Sequence, residues 1–552
     1  MTELAYEPSL AEGRIDALRV SRHAGGRQLL HELSLTVRPG ELVAIAGGSG
    51  AGKTTLLETL AGLQPPSGGQ VRHDSTRIGY VPQDDIIHLE MPLRRTLRYA
   101  ARLRLPAGTS AAEADRAVEQ TMHDLDLADR AEVPVRALSG GQRKRASIAV
   151  ELLTRPRIFF LDEPTSGLDP ATAAEVMRLL YRLSRSGVTV VLTTHEPAGI
   201  ELCDRVVFLA RDGFLAFTGS PADARRYFGV QDLAGVYEKL ATEGSPAAWA
   251  QRFDELRAVV PSHHDEPAPT PAAPSKVKTP RVIEQWWTLT RRNIEVLLRN
   301  RLTLTILLGS PVLVTAMMAT LFRRGAFDTT GAADIGPAQI VFWIAFDGFF
   351  FGLTYGLLQI VGEMSVFRRE RLSGVSITAY VGSKVTALLP VLALVSAVLL
   401  GVLRALGRLP ALGWHVYALL FVTILVEATS ALALGLFASA AVSNAAQAAL
   451  ALPMLCFPQV LFGGAIVPVH EMAAPGRMMS YGLSNRHAFE ALGRDLDLDR
   501  FTATLPAMSG YRDTFSGGTG ASLIALAAFT AILLTGTVWV LHRKSTPGAF
   551  WR

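Results

Sequence analysis

The chain has 552 residues, 49% of them apolar and 19% charged, with a formal net charge of +5 and a mean hydropathy of +0.26. That length exceeds one ordinary domain, and that apolarity is too high for a wholly water-soluble protein. The two cysteines, Cys203 and Cys456, fall in different halves of the chain and offer no disulfide framework or metal site, and the modest positive charge comes with no nucleic-acid-binding module.

The opening MTELAYEPSL is polar and carries no cleavable signal, so the part that follows is expected in the cytosol. Glu41 to Ala46 (ELVAIA) reads as a buried strand and Thr54 to Ala61 as a helix. Between them Gly47–Thr54 (GGSGAGKT) fits G-x-x-x-x-G-K-[ST], in which glycines let successive backbone N–H groups turn toward anionic oxygens and the helix start adds positive partial charge. Lys53 is expected to reach the β- and γ-phosphates of ATP and Thr54 to hold Mg2+. Gly47, Gly48, Ser49, Gly50, Ala51, Gly52 and Thr55 complete the ATP-binding segment.

Further on, Leu138 to Arg145 (LSGGQRKR) opens a helix that continues through Ile148, Val150 and Leu153, and such a helix start is a second anion site. Arg157 to Asp162 (RIFFLD) is an apolar strand that delivers its last carboxylate to the sheet edge, followed at once by Glu163. Asp162 suits a magnesium ligand and Glu163 a proton acceptor for an attacking water; a pair of acids solvating a strand end is the other reading. Short β-like runs (Val188 to Thr193, Arg205 to Leu209) alternate with helical patterns up to about Ala241, as in an α/β domain. Residues 242–280 read as a linker, rich in proline from Pro261 to Pro280.

Beyond the linker, six apolar stretches approach the roughly 20 residues that cross a bilayer. They lie near Leu302 to Phe322, Ile340 to Val361, Val385 to Leu403, Val416 to Phe437, Ala445 to Val467 and Leu523 to Leu541. Residues 281–552 are therefore expected to form an all-α, six-helix transmembrane domain, with an outer segment near 468–520. Arg291, Arg292, Arg299 and Arg301 precede the first stretch, Arg368, Arg369, Arg371 and Lys384 follow the second, and Arg543 and Lys544 follow the sixth, which places those edges in the cytoplasm. Arg323, Arg324, Arg404 and Arg408 fall outside in this scheme, so the bias is partial. Gly348, Gly352 and Gly356 share one face of the second stretch and predict close helix packing, a hinge being the other reading. Asp347 and Glu427 are acids inside spans; contact with a cationic substrate and a structural hydrogen-bonding role both stay open.

In this order, over about 200 residues, the phosphate loop, LSGGQ and the acid-terminated strand resemble the nucleotide-binding domain of ATP-binding cassette (ABC) transporters, with LSGGQ as signature. The resemblance implies an α/β P-loop cassette over residues 1–241. It makes Gln83 the loop glutamine that links magnesium to the membrane domain, Ser166 to Asp169 (SGLD) the dimer-facing loop and His195 the switch histidine. It also implies that the signature residues Ser139, Gly140, Gly141 and Gln142 of one chain close over ATP held by another, so that one cassette per chain means a dimer, expected to be a homodimer. The adenine-stacking aromatic of the family falls here near Arg22 or His23.

A cassette placed before six spans resembles the ABCG (White) type of half-transporter. Supporting stretches are the RKR after the signature, Leu93 to Pro106 (LRRTLRYAARLRLP) and Glu363 to Lys384, which resembles the cytoplasmic coupling helix; Arg95 stands where relatives often carry glutamate. By the same resemblance Phe351 falls near a cavity-lining aromatic, lipid contact being its other reading, and Ala465 and Ile466 fall at the apolar plug, where alanine is small. The function implied is ATP-driven export of a lipid, glycolipid or hydrophobic drug across the cell membrane, with the cassette cytosolic. An ATP-driven regulator or force transmitter acting through a partner is the alternative.

Overall fold

A computed structural model describes residues 12–85, 87–259, 280–322, 324–327, 336–502, 506–512 and 514–545. The chain divides into two compact units, one reaching Arg281 and the other spanning Val282–Ser545.

In the first unit the elements run β1 (Ile15–Ala24), β2 (Arg27–Val37), β3 (Leu42–Ala46), α1 (Lys53–Leu60), β4 (Gly68–His73), β5 (Ile78–Val81), α2 (Leu93–Arg104), α3 (Ala111–Asp124), α4 (Gly140–Leu152), β6 (Ile158–Leu161), α5 (Pro170–Arg185), β7 (Thr189–Thr194), β8 (Arg205–Ala210), β9 (Phe214–Gly219), α6 (Pro221–Phe228), α7 (Ala234–Thr242) and α8 (Pro246–Val259). β2, β1 and β4 form an antiparallel sheet. The larger sheet has the order β5-β6-β7-β3-β8-β9, parallel except for β9. Its central strands LVAIA, IFFL and TVVLTT are buried throughout, which is why they read as continuous apolar or β-branched runs without alternation. Helix starts are locally specified: Ser110 and Ser139 close reciprocal capping boxes with Glu113 and Gln142, and Asp169 accepts from the N–H groups of Ala171 and Thr172 ahead of Pro170 at N1.

α8 corrects the expected linker. Residues 246–259 form a helix whose Trp249 and Phe253 enter the cassette core, packing on Tyr227, Phe228 and Phe217. Two aromatics at i and i+4 on one helix face supply the burial that its small polar neighbours do not. The proline-rich remainder, 261–279, lies outside the described residues.

The second unit runs α9 (Val282–Arg299), α10 (Arg301–Leu321), α11 (Pro337–Leu357), α12 (Met364–Leu372), α13 (Ile377–Ala405), α14 (Trp414–Ala441), α15 (Ala445–Leu461), α16 (Ala474–Ser480), α17 (Ser484–Asp495), α18 (Asp499–Thr502) and α19 (Thr519–Lys544). By length and composition, five helical segments of the described residues are long and apolar enough to cross a membrane: α10, the stretch Pro337–Leu372 that contains α11 and α12, α13, α14 and α19. The sixth, α15, is shorter than expected. It has 17 residues, about 25 Å of helix, contains Pro453 and Pro458, and ends at Leu461, whereas the apolar run continues to Val467.

The glycine stripe of α11 is a packing seam. A Cβ on Gly352 would lie 2.1 Å from the Ala428 carbonyl oxygen of α14, and one on Gly356 2.7 Å from that of Leu432; Gly435 of α14 answers from the other side, 2.5 Å from the Leu353 oxygen. At the cytoplasmic edge expected from the sequence, residues 363–384 form α12, a turn and the start of α13. They are clamped to α9: Arg292 forks onto Glu370, Asn293 donates to Ser383 (3.0 Å), and the Gln285 side chain accepts from Ser376 N (2.7 Å). Lys384 pairs with Glu363 at 2.5 Å.

Candidate nucleotide site

Four neighbouring strands deliver their following loops to one edge of the parallel sheet. Gln83 follows β5, Asp162 and Glu163 follow β6, His195 follows β7 and the Gly47–Thr54 loop follows β3. Ligands of open α/β sheets bind at these carboxyl ends. The phosphate loop holds positive φ at Gly47 (149°), Gly50 (77°) and Gly52 (86°). At Gly47 a side chain is also excluded by space, since a Cβ would lie 2.4 Å from the Leu209 oxygen.

Lys53, 8% exposed, folds its ammonium back on the loop and donates to the carbonyls of Gly47 (2.9 Å) and Gly48 (3.1 Å), with Glu163 Oε1 at 4.0 Å. Burial lowers its pKa, partly offset by Glu163 and Asp162. Thr54 Oγ1 donates to Asp162 Oδ1 at 3.1 Å, so a hydroxyl and a carboxylate converge on one spot, the all-oxygen donor set a hard divalent cation takes. Burial raises the pKa of Asp162, opposed by hydrogen bonds from Thr193 and Thr54.

Glu163 is the hub. Its φ of 42° lies in the left-handed region, a strained setting for a side chain that turns the carboxylate out of the strand line. Gln83 Nε2 donates to Glu163 Oε2 at 3.2 Å, and His195 Nδ1 lies 3.2 Å from the same oxygen. Lys53, Thr54, Gln83, Glu163 and His195 all line a cleft of about 820 Å³ together with Ser49–Gly52 and Thr55.

The signature residues do not line that cleft. Ser139 caps α4, its hydroxyl accepting from Gln142 N (3.3 Å) while the Gln142 amide oxygen accepts from Ser139 N (3.1 Å), so in this chain the glutamine expected at ATP is turned onto its own helix start. Gly141 is required locally, because a Cβ there would lie 2.1 Å from Thr172 Cγ2 of α5. Asp169 of the SGLD loop caps α5. Arg22 and His23, expected near adenine, are paired in the β1–β2 hairpin and are not among the cleft residues; Arg27, Gln28, Leu29 and Asp212 do line the cleft.

Two contributors escaped the sequence reading. Thr193 Oγ1 donates to Asp162 Oδ1 (2.6 Å) and accepts from Glu163 N (2.8 Å), fixing both acids from the next strand. Lys144, in the basic run after LSGGQ, donates to the Gln83 carbonyl (2.7 Å). A threonine near the end of a buried strand and a lysine on a helix carry no spacing signal; only the fold brings them to these partners.

In the membrane unit Phe351 is 1% exposed and packs on Phe350 and Tyr355, so in this chain it faces protein and not lipid. Asp347 (3% exposed) and Glu427 (0%) are buried; Glu427 accepts from Ser484 of α17 at 2.9 Å. Ile466 is 59% exposed and Ala465 buried, its carbonyl accepting from the Tyr511 hydroxyl (2.5 Å). α17 packs against α11, α14, α15 and α19, with Asp495 accepting from Thr423 (3.2 Å) and Thr519 (2.8 Å).

A model described as ABC transporter matches residues 30–166, and one described as ABC-2 type transporter matches residues 284–493. An ABC transporter ATP-binding/permease protein of Mycobacterium tuberculosis is 33% identical over 515 residues, covering 89% of this chain and 59% of that protein. Protein white of Drosophila melanogaster is 37% identical over 262 residues, 44% of this chain and 37% of that protein. Among solved structures, cbiO1 from Clostridium perfringens, described as part of the ABC transporter complex cbiONQ, is 25% identical with a TM-score of 0.37, covering 44% of this chain and 99% of that one. The chain spans less than two thirds of the length of either curated relative.

Proposed function

This chain belongs to the ABC transporters, in the G-type (White) arrangement with its cassette ahead of an ABC-2 type membrane domain, and we propose that it works as a homodimeric ATP-driven exporter of hydrophobic or amphipathic molecules across the cell membrane. The observation that carries this reading is the division of the ATP machinery. Lys53, Thr54, Gln83, Glu163 and His195 share one cleft, and Ser139–Gln142 stand apart from it at the start of α4. A second chain bringing its own helix start to that cleft completes each site.

In that site the glycine loop binds the phosphates through backbone N–H groups, and Lys53 exchanges its loop carbonyls for the β- and γ-phosphate oxygens. Thr54 and Asp162 fit Mg2+, which when bound neutralises charge on the β- and γ-oxygens. Glu163 takes the proton of the attacking water, with Gln83 and His195 orienting its carboxylate. Thr193 holds the Asp162 carboxylate and the Glu163 backbone N–H, which fixes the two acids side by side at the strand end.

The test is ATP-dependent uptake of labelled lipids and hydrophobic dyes into inverted vesicles, wild type against Glu163→Gln. Accumulation in wild type, with Glu163→Gln binding ATP but not turning it over, is the expected result. Hydrolysis without uptake of any probe would instead favour an ATP-driven regulator acting through a partner.

A further inference from the structure

The basic run Arg143–Lys144–Arg145 that follows the signature glutamine is not used by the mechanism above, and its three members behave differently. Arg143 donates to Leu138 O at 3.2 Å, near the start of its own helix, and Arg145 lies 4.0 Å from Asp126. Lys144 alone of the three is buried, its side chain 4% exposed. Placing an ammonium in the interior is costly unless acceptors receive it. It is received by the loop after β5: Nζ donates to the Gln83 carbonyl at 2.7 Å and lies 3.8 Å from Asp85 Oδ1.

That loop holds the only glutamine side chain seen on the Glu163 carboxylate among the described residues, Gln83 Nε2 to Oε2 at 3.2 Å. A continuous line of contacts therefore runs from the helix that begins at Ser139, through Lys144 and the Gln83 backbone, to Glu163. α4 is one continuous helix over Gly140–Leu152 and packs on β5, and Lys144 lies in its second turn, close to the Ser139 start.

We infer that Lys144 is a positioning residue that sets Gln83 against Glu163, so that engagement of the signature helix by the partner's nucleotide is felt at the hydrolytic centre of Lys144's own chain. The inference rests on the ATPase reading given above. Lys144 is not among the residues that line the nucleotide cleft, and it acts through Gln83.

The experiment is steady-state ATP hydrolysis by the full-length chain in lipid, comparing wild type, Glu163→Gln, Lys144→Met, Gln83→Ala and the double variant Lys144→Met/Gln83→Ala. Lys144→Met is expected to lower kcat roughly tenfold with KM for ATP within about twofold, and to have no further effect in the Gln83→Ala background. Losses that multiply in the double variant, or a Lys144→Met chain with wild-type kcat, overturn the inference. Should Lys144→Met not fold, Lys144→Gln replaces it in the same two backgrounds; it keeps a polar head, is too short to reach the Gln83 carbonyl, and is read by the same criterion. Wild-type hydrolysis that Glu163→Gln abolishes sustains the ATPase reading whatever Lys144 does. Absence of such hydrolysis overturns that reading and this inference together.

Discussion

Glu58 lies on α1 one turn beyond Thr54, 2% exposed, and accepts a 2.6 Å hydrogen bond from Gln64. Burial, reinforced by the negative charge of Asp162, pushes its pKa from 4.5 up to about 7. A carboxyl raised in the folded state binds its proton more tightly there than in the unfolded chain. Its stabilising contribution is therefore complete below about 4.5, and it declines as pH rises toward 7, by about 3 kcal/mol across that window. Glu58→Gln keeps an acceptor for Gln64 and removes the titration. In thermal unfolding of the nucleotide-free chain the variant should melt above wild type at pH 8 and close to it at pH 5; a variant melting lower at pH 8 would contradict the account. At this scale the sequence was most legible where chemistry forces a residue type at fixed spacing. The phosphate loop needs glycine at positive φ, and the acids at 162 and 163 stand at a strand end. Glu58, Lys144 and Thr193 stayed hidden because their partners come from the segments that follow β5, β6 or α1, not from the same motif.

Among elements, the seam between α11 and α14 sets how closely two spans approach. Its glycines sit where the facing helix leaves little room: a Cβ on Gly352 would lie 2.1 Å from the Ala428 oxygen, and one on Gly348 3.3 Å from the Ile424 oxygen. Gly352→Ala must drive the helices apart by moving backbone, because the obstructing atom is a carbonyl oxygen and not a side-chain end. A loss of about 1–3 kcal/mol is expected, read as a lower melting temperature in detergent. Gly362→Ala, where a Cβ meets nothing within 4 Å, serves as the control and should leave it unchanged. Equal melting of the two variants would remove the seam from the packing account. The four-residue glycine spacing made this seam readable from sequence, since close approach demands small residues on one face. The end of α15 and the existence of α8 were not readable in the same way. Apolarity continues past Leu461 although the helix stops there, and the polar composition around Trp249 and Phe253 masks the two aromatics that anchor α8.

For the whole molecule, the separation of the signature from the phosphate loop has a consequence that no single-chain variant can show. Lys53→Ala disables the cleft of the chain that carries it. In the proposed homodimer, Ser139→Asp would disable the cleft of the other chain, because its carboxylate would face the triphosphate, while the fold is retained since aspartate caps a helix as well as serine does. Each variant alone therefore forms dimers in which both sites are dead. In a mixed dimer one site combines both lesions and the other combines an intact phosphate loop with an intact signature. Co-expressing the two variants with distinguishable tags and reconstituting the mixture should restore ATP hydrolysis to roughly a quarter of wild type, since half of randomly assorted dimers are mixed and each has one working site. Dimers purified through both tags in succession should reach about half, provided the sites turn over independently. A mixture as inactive as its components would mean that each lesion falls in a different site, one per chain, and the composite two-chain site would have to be abandoned.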